Sequence, residues 1–142
     1  MLSSDSHDYL QKLLIKHEGF RQFPYVCTAG RLTIGIGRNI QDRGLSLDEA
    51  MYLLNNDIKQ CEQELTQYLP EYANLCEMRK IVLIDMCFNL GISGLMQFRD
   101  MIAAIRVADY ETAAKAMRDS KWAEQVGNRA HELAYLMEKG NK

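Results

Sequence analysis

Two prolines, one tryptophan and three histidines are all that the 142 residues contain of those types. So little proline leaves long unbroken helices open to the chain, because proline is the strongest interrupter of a helix interior. Charge of one sign is equally scarce: 17 basic and 19 acidic side chains give a formal net charge of −2, with no long run of either. That balance excludes the basic footprint of a nucleic-acid binder. It also provides little steering towards an anionic polymer, so any such recognition must be local and shape-based. No segment is long and apolar enough to span a bilayer, and stable membrane insertion is not expected. The opening stretch MLSSDSHDYLQKLLIKHEG lacks both the basic region and the apolar run of a secretory signal. Synthesis in the cytosol is expected, with any passage across a membrane left to another agent.

Clustered metal ligands are also missing. The four cysteines, Cys27, Cys61, Cys76 and Cys87, form no CxxC and no Cys/His group, so no metal site is expected. No feature calls for a cofactor. Cys61, Cys76 and Cys87 fall in helical stretches, where reduced thiols behaving as small apolar groups are expected in place of disulfides. What is present is an ordinary globular composition, 47% hydrophobic and 25% charged. The length suits one domain burying roughly two thirds of its unfolded surface, here expected as a monomer.

Leu10, Leu13, Leu14 and His17 recur at helical spacing and predict a helix over 6–18, which Gly19 would end. Glu18 then sits in the last turn, where the macrodipole disfavours a carboxylate. Either it is a solvated helix end, or it is a site residue needing a cationic partner or a reason to stay protonated. His17 is read as structural.

The following segment, FPYVCTAGRLTIGIG, is rich in strand formers around an Ala29-Gly30 turn. A three-residue loop, Thr28-Ala29-Gly30, would place Gly30 where positive φ is needed. Cys27 then faces Arg31, Val26 faces Leu32 and Tyr25 faces Thr33. Cys27 and Thr33 become diagonal neighbours on one face, about 7–8 Å apart. Along the second strand, Leu32, Ile34 and Ile36 share an apolar face expected to pack on protein, and Thr33, Gly35 and Gly37 share a bare one. The bare face either admits a polymer close to the backbone, or its glycines merely permit a bend.

Ser46-Leu47-Asp48-Glu49 is a capping box opening a helix that should end before Pro70. From about 71 to 90 the chain becomes more apolar around Val82, Leu83, Met86 and Cys87, the expected core helix, with Gly91 placed to stop it. Three or four shorter helices follow, separated near 91–94, Asp109, Ser120 and Gly127-Asn128. Asn128 is the expected N-cap of the last and Gly140 its stop. Trp122, Leu133 and Leu136 are expected in the core.

Several separated motifs resemble one family. Glu18-Gly19-Phe20-Arg21, Tyr25-Val26-Cys27, Gly30 and Thr33-Ile34-Gly35-Ile36-Gly37 resemble the catalytic signature of phage lysozymes, the endolysins of glycoside hydrolase family 24. In that family a Glu is followed after eight residues by Asp or Cys, and after five more by Thr, and Glu18, Cys27 and Thr33 have that spacing. Asp85-Met86-Cys87-Phe88-Asn89-Leu90-Gly91 is similar to a helix end typical of the family. Ser120-Lys121-Trp122 with Gln125, Asn128, Arg129 and Ala130 is similar to its closing helical segment. The resemblance covers roughly residues 10–138.

It implies an α+β, lysozyme-like fold forming a single domain over 1–142. A small N-terminal lobe with a hairpin (19–45) and a larger helical C-terminal lobe (70–142 with 6–18) would be joined by the helix 46–69, with a glycan bound between them. It further implies hydrolysis of the β-1,4 bond between N-acetylmuramic acid and N-acetylglucosamine in bacterial peptidoglycan, leading to lysis. Glu18 would be the general acid. The family is described as inverting, and such enzymes leave roughly 6.5–9.5 Å between catalytic groups for the attacking water. Thr33 would orient that water. Cys27 stands where Asp is commoner, and a thiol of ordinary pKa, about 8.5, is mostly neutral at pH 7. Its role stays open between base, electrostatic stabiliser and nucleophile, with Arg31 a candidate cation to favour the thiolate; the alternative is an inert buried thiol. Arg129 matches a position that pairs with the catalytic Glu, although an adjacent positive charge opposes an acid role. Asn89 and Gln125 are candidates for binding acetamido or hydroxyl groups. A wall-binding protein with weak catalysis and a lytic transglycosylase are the competing functions. Action on the periplasmic wall after synthesis in the host cytoplasm and holin-dependent release is expected.

Overall fold

The computed structural model describes residues 1–141. The helices are α1 (Ser4–Glu18), α2 (Ile40–Arg43), α3 (Leu47–Tyr68), α4 (Glu77–Leu95), α5 (Arg99–Arg106), α6 (Tyr110–Arg118), α7 (Lys121–Val126) and α8 (Asn128–Lys139). The strands β1 (Arg21–Val26), β2 (Leu32–Gly35) and β3 (Arg38–Asn39) form one antiparallel sheet in the order β1-β2-β3. A 3-10 turn, Pro70–Asn74, separates α3 from α4. The class is α+β, as expected. The chain divides into two compact units, Met1–Met51 and the residues from Tyr52 on, with the boundary inside α3.

In the first unit, Ser3 caps α1 by accepting the Ser6 N–H. Gly19, at φ 71°, ends the helix by donating its N–H to the Ile15 carbonyl at 2.8 Å. The hairpin has the register that its loop chemistry predicts: Val26 opposite Leu32, and Tyr25 opposite Thr33. Gly30 adopts φ +79°, and the Cys27 N–H donates to the Arg31 carbonyl at 2.9 Å. Farther from the loop the register slips between Arg21 and Tyr25, a span that includes Pro24, which has no N–H for the ladder.

The second strand departs from expectation. It stops at Gly35, because Gly35 (φ 71°) and Gly37 (φ 64°) leave the extended region and turn the chain back into β3. Arg38 then pairs with Ile34, and Asn39 with Thr33. Leu32 and Ile36, expected against protein, are 41% and 46% exposed, while Thr33 is only 4% exposed. The period-2 pattern fails once left-handed residues break the pleat, and the bare face is the covered one. Asn39 starts the short α2, which the sequence pattern did not announce, by accepting the Asp42 N–H at 3.0 Å.

The capping box at the start of α3 forms as written: Ser46 Oγ accepts the Glu49 N–H at 3.2 Å, and Glu49 Oε1 accepts the Ser46 N–H at 2.7 Å. Among the described residues, every buried apolar side chain lies between Cys61 and Met137, and thus in the second unit. Val82, Leu83, Met86 and Cys87 of α4 are buried, α4 and α6 pack on α8, and α5 packs on α6. Gly91, at φ 74°, breaks the helical path within α4 as expected. Asp109 and Ser120 cap α6 and α7. Asn128 is not the N-cap of α8 but its first residue; Gly127, at φ 62°, takes the cap position without a side-chain bond. Trp122 is buried, edge-on to Phe98 with ring centroids 5.8 Å apart. All four cysteines are free. No single helix among the described residues is long and apolar enough to cross a membrane.

Candidate active site

Glu18 ends α1 with an exposed side chain. Its carboxyl lies against the backbone of Gly37: a Cβ built there would stand 2.5 Å from Oε2 and 2.9 Å from Cδ. Two demands therefore converge on one glycine, a left-handed φ and room for a carboxyl where any other residue would place a carbon. The α1 terminus and the turn between β2 and β3 are joined at this point.

The hairpin loop supplies the second group. Cys27, half-buried, directs its sulfur into a nest of donors. The Arg31 backbone N–H lowers its pKa most, followed by the Thr33 hydroxyl and the Ala29 N–H. The cation proposed for this task is engaged elsewhere: Arg31 Nε is 3.3 Å from Asp42 Oδ2, both side chains half exposed. The field favouring thiolate thus comes from backbone dipoles and a hydroxyl. Thr33 Oγ1 donates to the Arg31 carbonyl at 2.9 Å. The same hydroxyl lies near enough to the sulfur to favour its thiolate.

These environments set an order of reactivity. Burial pushes the Cys61 thiol up, and burial with the adjacent Cys61 pushes Cys87 up to about 12. A lowered pKa enlarges the thiolate fraction at neutral pH, and a raised one shrinks it. Iodoacetamide added to the folded protein is therefore expected to alkylate Cys27 well before Cys61 and Cys87, read by peptide mass mapping. Equal rates at Cys27 and Cys87 without unfolding would contradict this order.

The remaining candidates lie in the second unit. Arg129, expected to meet a catalytic carboxylate, is engaged by Asp85 of α4: Nε donates to Oδ1 at 2.8 Å, and Nη2 lies 2.6 Å from the same oxygen. Asp85 and Arg129 edge an apolar groove of about 550 Å³ whose lining includes Ile58, Ile84 and Phe88. Asn89 Oδ1 accepts the buried Trp122 Nε1–H at 2.8 Å, which occupies that oxygen with fold stabilisation. Gln125 is exposed on α7. Among the described residues no three His, Cys, Asp or Glu side chains cluster as metal ligands.

Glu18–Gly37 and Cys27–Thr33 are thus the two groupings formed in the first unit, at the two turns of its sheet. Gly37 as a contact surface and Asp85 as the partner of Arg129 were not foreseen. The doubled glycine in Gly35-Ile36-Gly37 was the available signal for the first, whereas no local pattern joins residues 44 positions apart.

The sequence model of the family described as phage lysozyme matches residues 15–139. The chain is 26% identical over 160 residues to the pre-baseplate central spike protein Gp5 of Enterobacteria phage T4, covering 93% of this chain and 28% of that protein. It is 32% identical over 69 residues to probable T4-type lysozyme 1 of Dictyostelium discoideum, covering 49% and 41% respectively. To probable T4-type lysozyme 2 of the same organism it is 24% identical over 161 residues, covering 92% and 94%. The chain's matches therefore span less than half the length of the first two relatives and nearly all of the third.

Proposed function

The chain belongs to the phage lysozyme family, and we propose that it is a muramidase cleaving the β-1,4 bond from N-acetylmuramic acid to N-acetylglucosamine. One observation carries the reading: the exposed Glu18 carboxyl is seated on Gly37, in a turn of the sheet whose hairpin register brings Cys27 beside Thr33. An exposed acid lying against the backbone of a turn is accessible to a polymer.

Glu18 gives its proton to the glycosidic oxygen as the C1–O bond breaks. A water then attacks C1 from the opposite face, forming the new C1–O bond with inversion. Thr33 Oγ1 orients that water, and its proton passes to the Cys27 thiolate. The lowered Cys27 pKa supports this base role, since an ordinary thiol holds its proton at neutral pH. Asn89, Gln125 and Arg129 are proposed to bind glycan substituents. For Asn89 the amide nitrogen is the group on offer, because the oxygen serves Trp122. The biological setting proposed is lysis of a bacterial wall reached from the cytoplasm after holin-type release.

Mass spectrometry of purified sacculi after digestion tests the reaction class. New reducing muramic termini are expected. Anhydro-muramic termini would identify a lytic transglycosylase, and sedimentation with sacculi without new termini would identify a wall-binding protein.

A further inference from the structure

We infer that Arg38 and Glu49 are positioning residues for the acid site, clamping the turn 35–37 so that the Gly37 backbone supports the Glu18 carboxyl. The inference rests on the reading of Glu18 as the acid.

Arg38 directly follows Gly37, and its guanidinium ties three segments together. Nη1 lies 2.6 Å from Glu49 Oε2 in α3, and Nη2 donates to Glu49 Oε1 at 2.7 Å and to the Gly44 carbonyl at 3.1 Å. Glu49 is itself fixed, because Oε1 also accepts the Ser46 N–H. The Ser46 N–H and then Arg38 hold its carboxyl down to about 2, so the pair stays ionised across the working range. A fork on a carboxylate defines direction as well as distance, which an ammonium does not. The side chains are 25% and 38% exposed, more shielded than an ordinary surface pair.

The clamp matters because the first unit has little else. Thr33 is its only buried side chain, and α1 buries none. Apolar packing therefore contributes little to fixing the turn. Two strand pairings, Ile34 with Arg38 and Thr33 with Asn39, set the register of β3, and the guanidinium holds its outer end. Releasing that end lets Gly37 move, and Glu18 loses the surface that defines its position. A displaced acid lowers turnover more than binding, because its contribution is made in the transition state.

The test uses reducing-end release from purified glycan strands by the full chain carrying Arg38→Met, Glu49→Gln, both together, or Arg38→Lys. Each single change is expected to lower kcat by about tenfold to a hundredfold, the cost of a misplacement on the ångström scale, with KM nearly unchanged. The double variant should be no worse than the poorer single one, since one clamp is removed in each case. Lysine keeps the charge and loses the fork, so Arg38→Lys should fall between wild type and Arg38→Met. The same charge removal at the exposed Lys115–Asp119 pair should leave both constants unchanged. Wild-type kcat in folded Arg38→Lys and Glu49→Gln, even with lowered Tm, would reduce the clamp to a structural role; these variants also decide if Arg38→Met does not fold. NMR separates this result from failure of the muramidase reading. The Gly37 amide and Glu18 carboxyl resonances should shift together in Arg38→Lys whether or not the protein turns over, and unmoved resonances would overturn the clamp.

Discussion

Glu18→Gln is expected to keep the fold and to lose at least about a hundredfold in clearing of outer-membrane-permeabilised bacteria, the lower range for removal of a general acid. The substitution is close to isosteric and lies at an exposed helix end, so no packing is disturbed. It also removes a carboxylate from the end of α1 that prefers cations, so stability should hold or rise slightly. Loss of activity without loss of Tm separates chemistry from folding. Clearing at the wild-type rate would remove Glu18 from the mechanism.

Gly37→Ala is expected to be nearly as damaging, for a reason that involves no catalytic group at all. The new methyl would fall 2.5 Å from Glu18 Oε2, so either the carboxyl leaves or the turn opens. A displacement of about 1 Å at a reacting group can cost about a hundredfold in rate. Alanine at φ +64° adds backbone strain of about 1 kcal/mol. Gly91→Ala is the control for strain without a clash: φ is +74° and ψ 161°, a region reserved for glycine, and nothing lies within 4 Å of the built Cβ. It should lose at least as much stability and keep most activity. Similar activity losses in both would place the effect in strain, not in the contact with Glu18.

The contrast between these glycines shows what the amino-acid sequence reveals and what it conceals. The hairpin was legible because its determinants are local. A three-residue loop ending in glycine has one good register, and that register brings Cys27 beside Thr33. The capping box at Ser46 was legible for the same reason, and Asp109 and Ser120, read as breaks between helices, prove to be caps, each side chain bonding an N–H three residues away. The third strand was not legible. It is two residues long and exists because Gly35 and Gly37 turn the chain, so periodicity continued the second strand through Ile36 instead.

The site divides similarly. Spacing and family resemblance mark Glu18, Cys27 and Thr33, but not what acts on them. The donors lowering the Cys27 pKa are chiefly backbone N–H groups, which every non-proline residue carries, so no residue type announces them. Arg31 looked like the source of that field because it faces Cys27, yet its long side chain reaches Asp42. Arg129 meets Asp85 across 44 positions, and Arg38 meets Glu49 across 11. Such pairings follow from the folded backbone, not from sequence spacing.

Digestion of purified sacculi in water enriched in oxygen-18 tests the central claim most directly, because it asks whether water enters at the anomeric carbon. The account predicts one heavy oxygen at each new reducing muramic terminus with wild-type protein, and at least about a hundredfold fewer such termini with Glu18→Gln. Anhydro termini without label, or equal labelled release by both proteins, would contradict it.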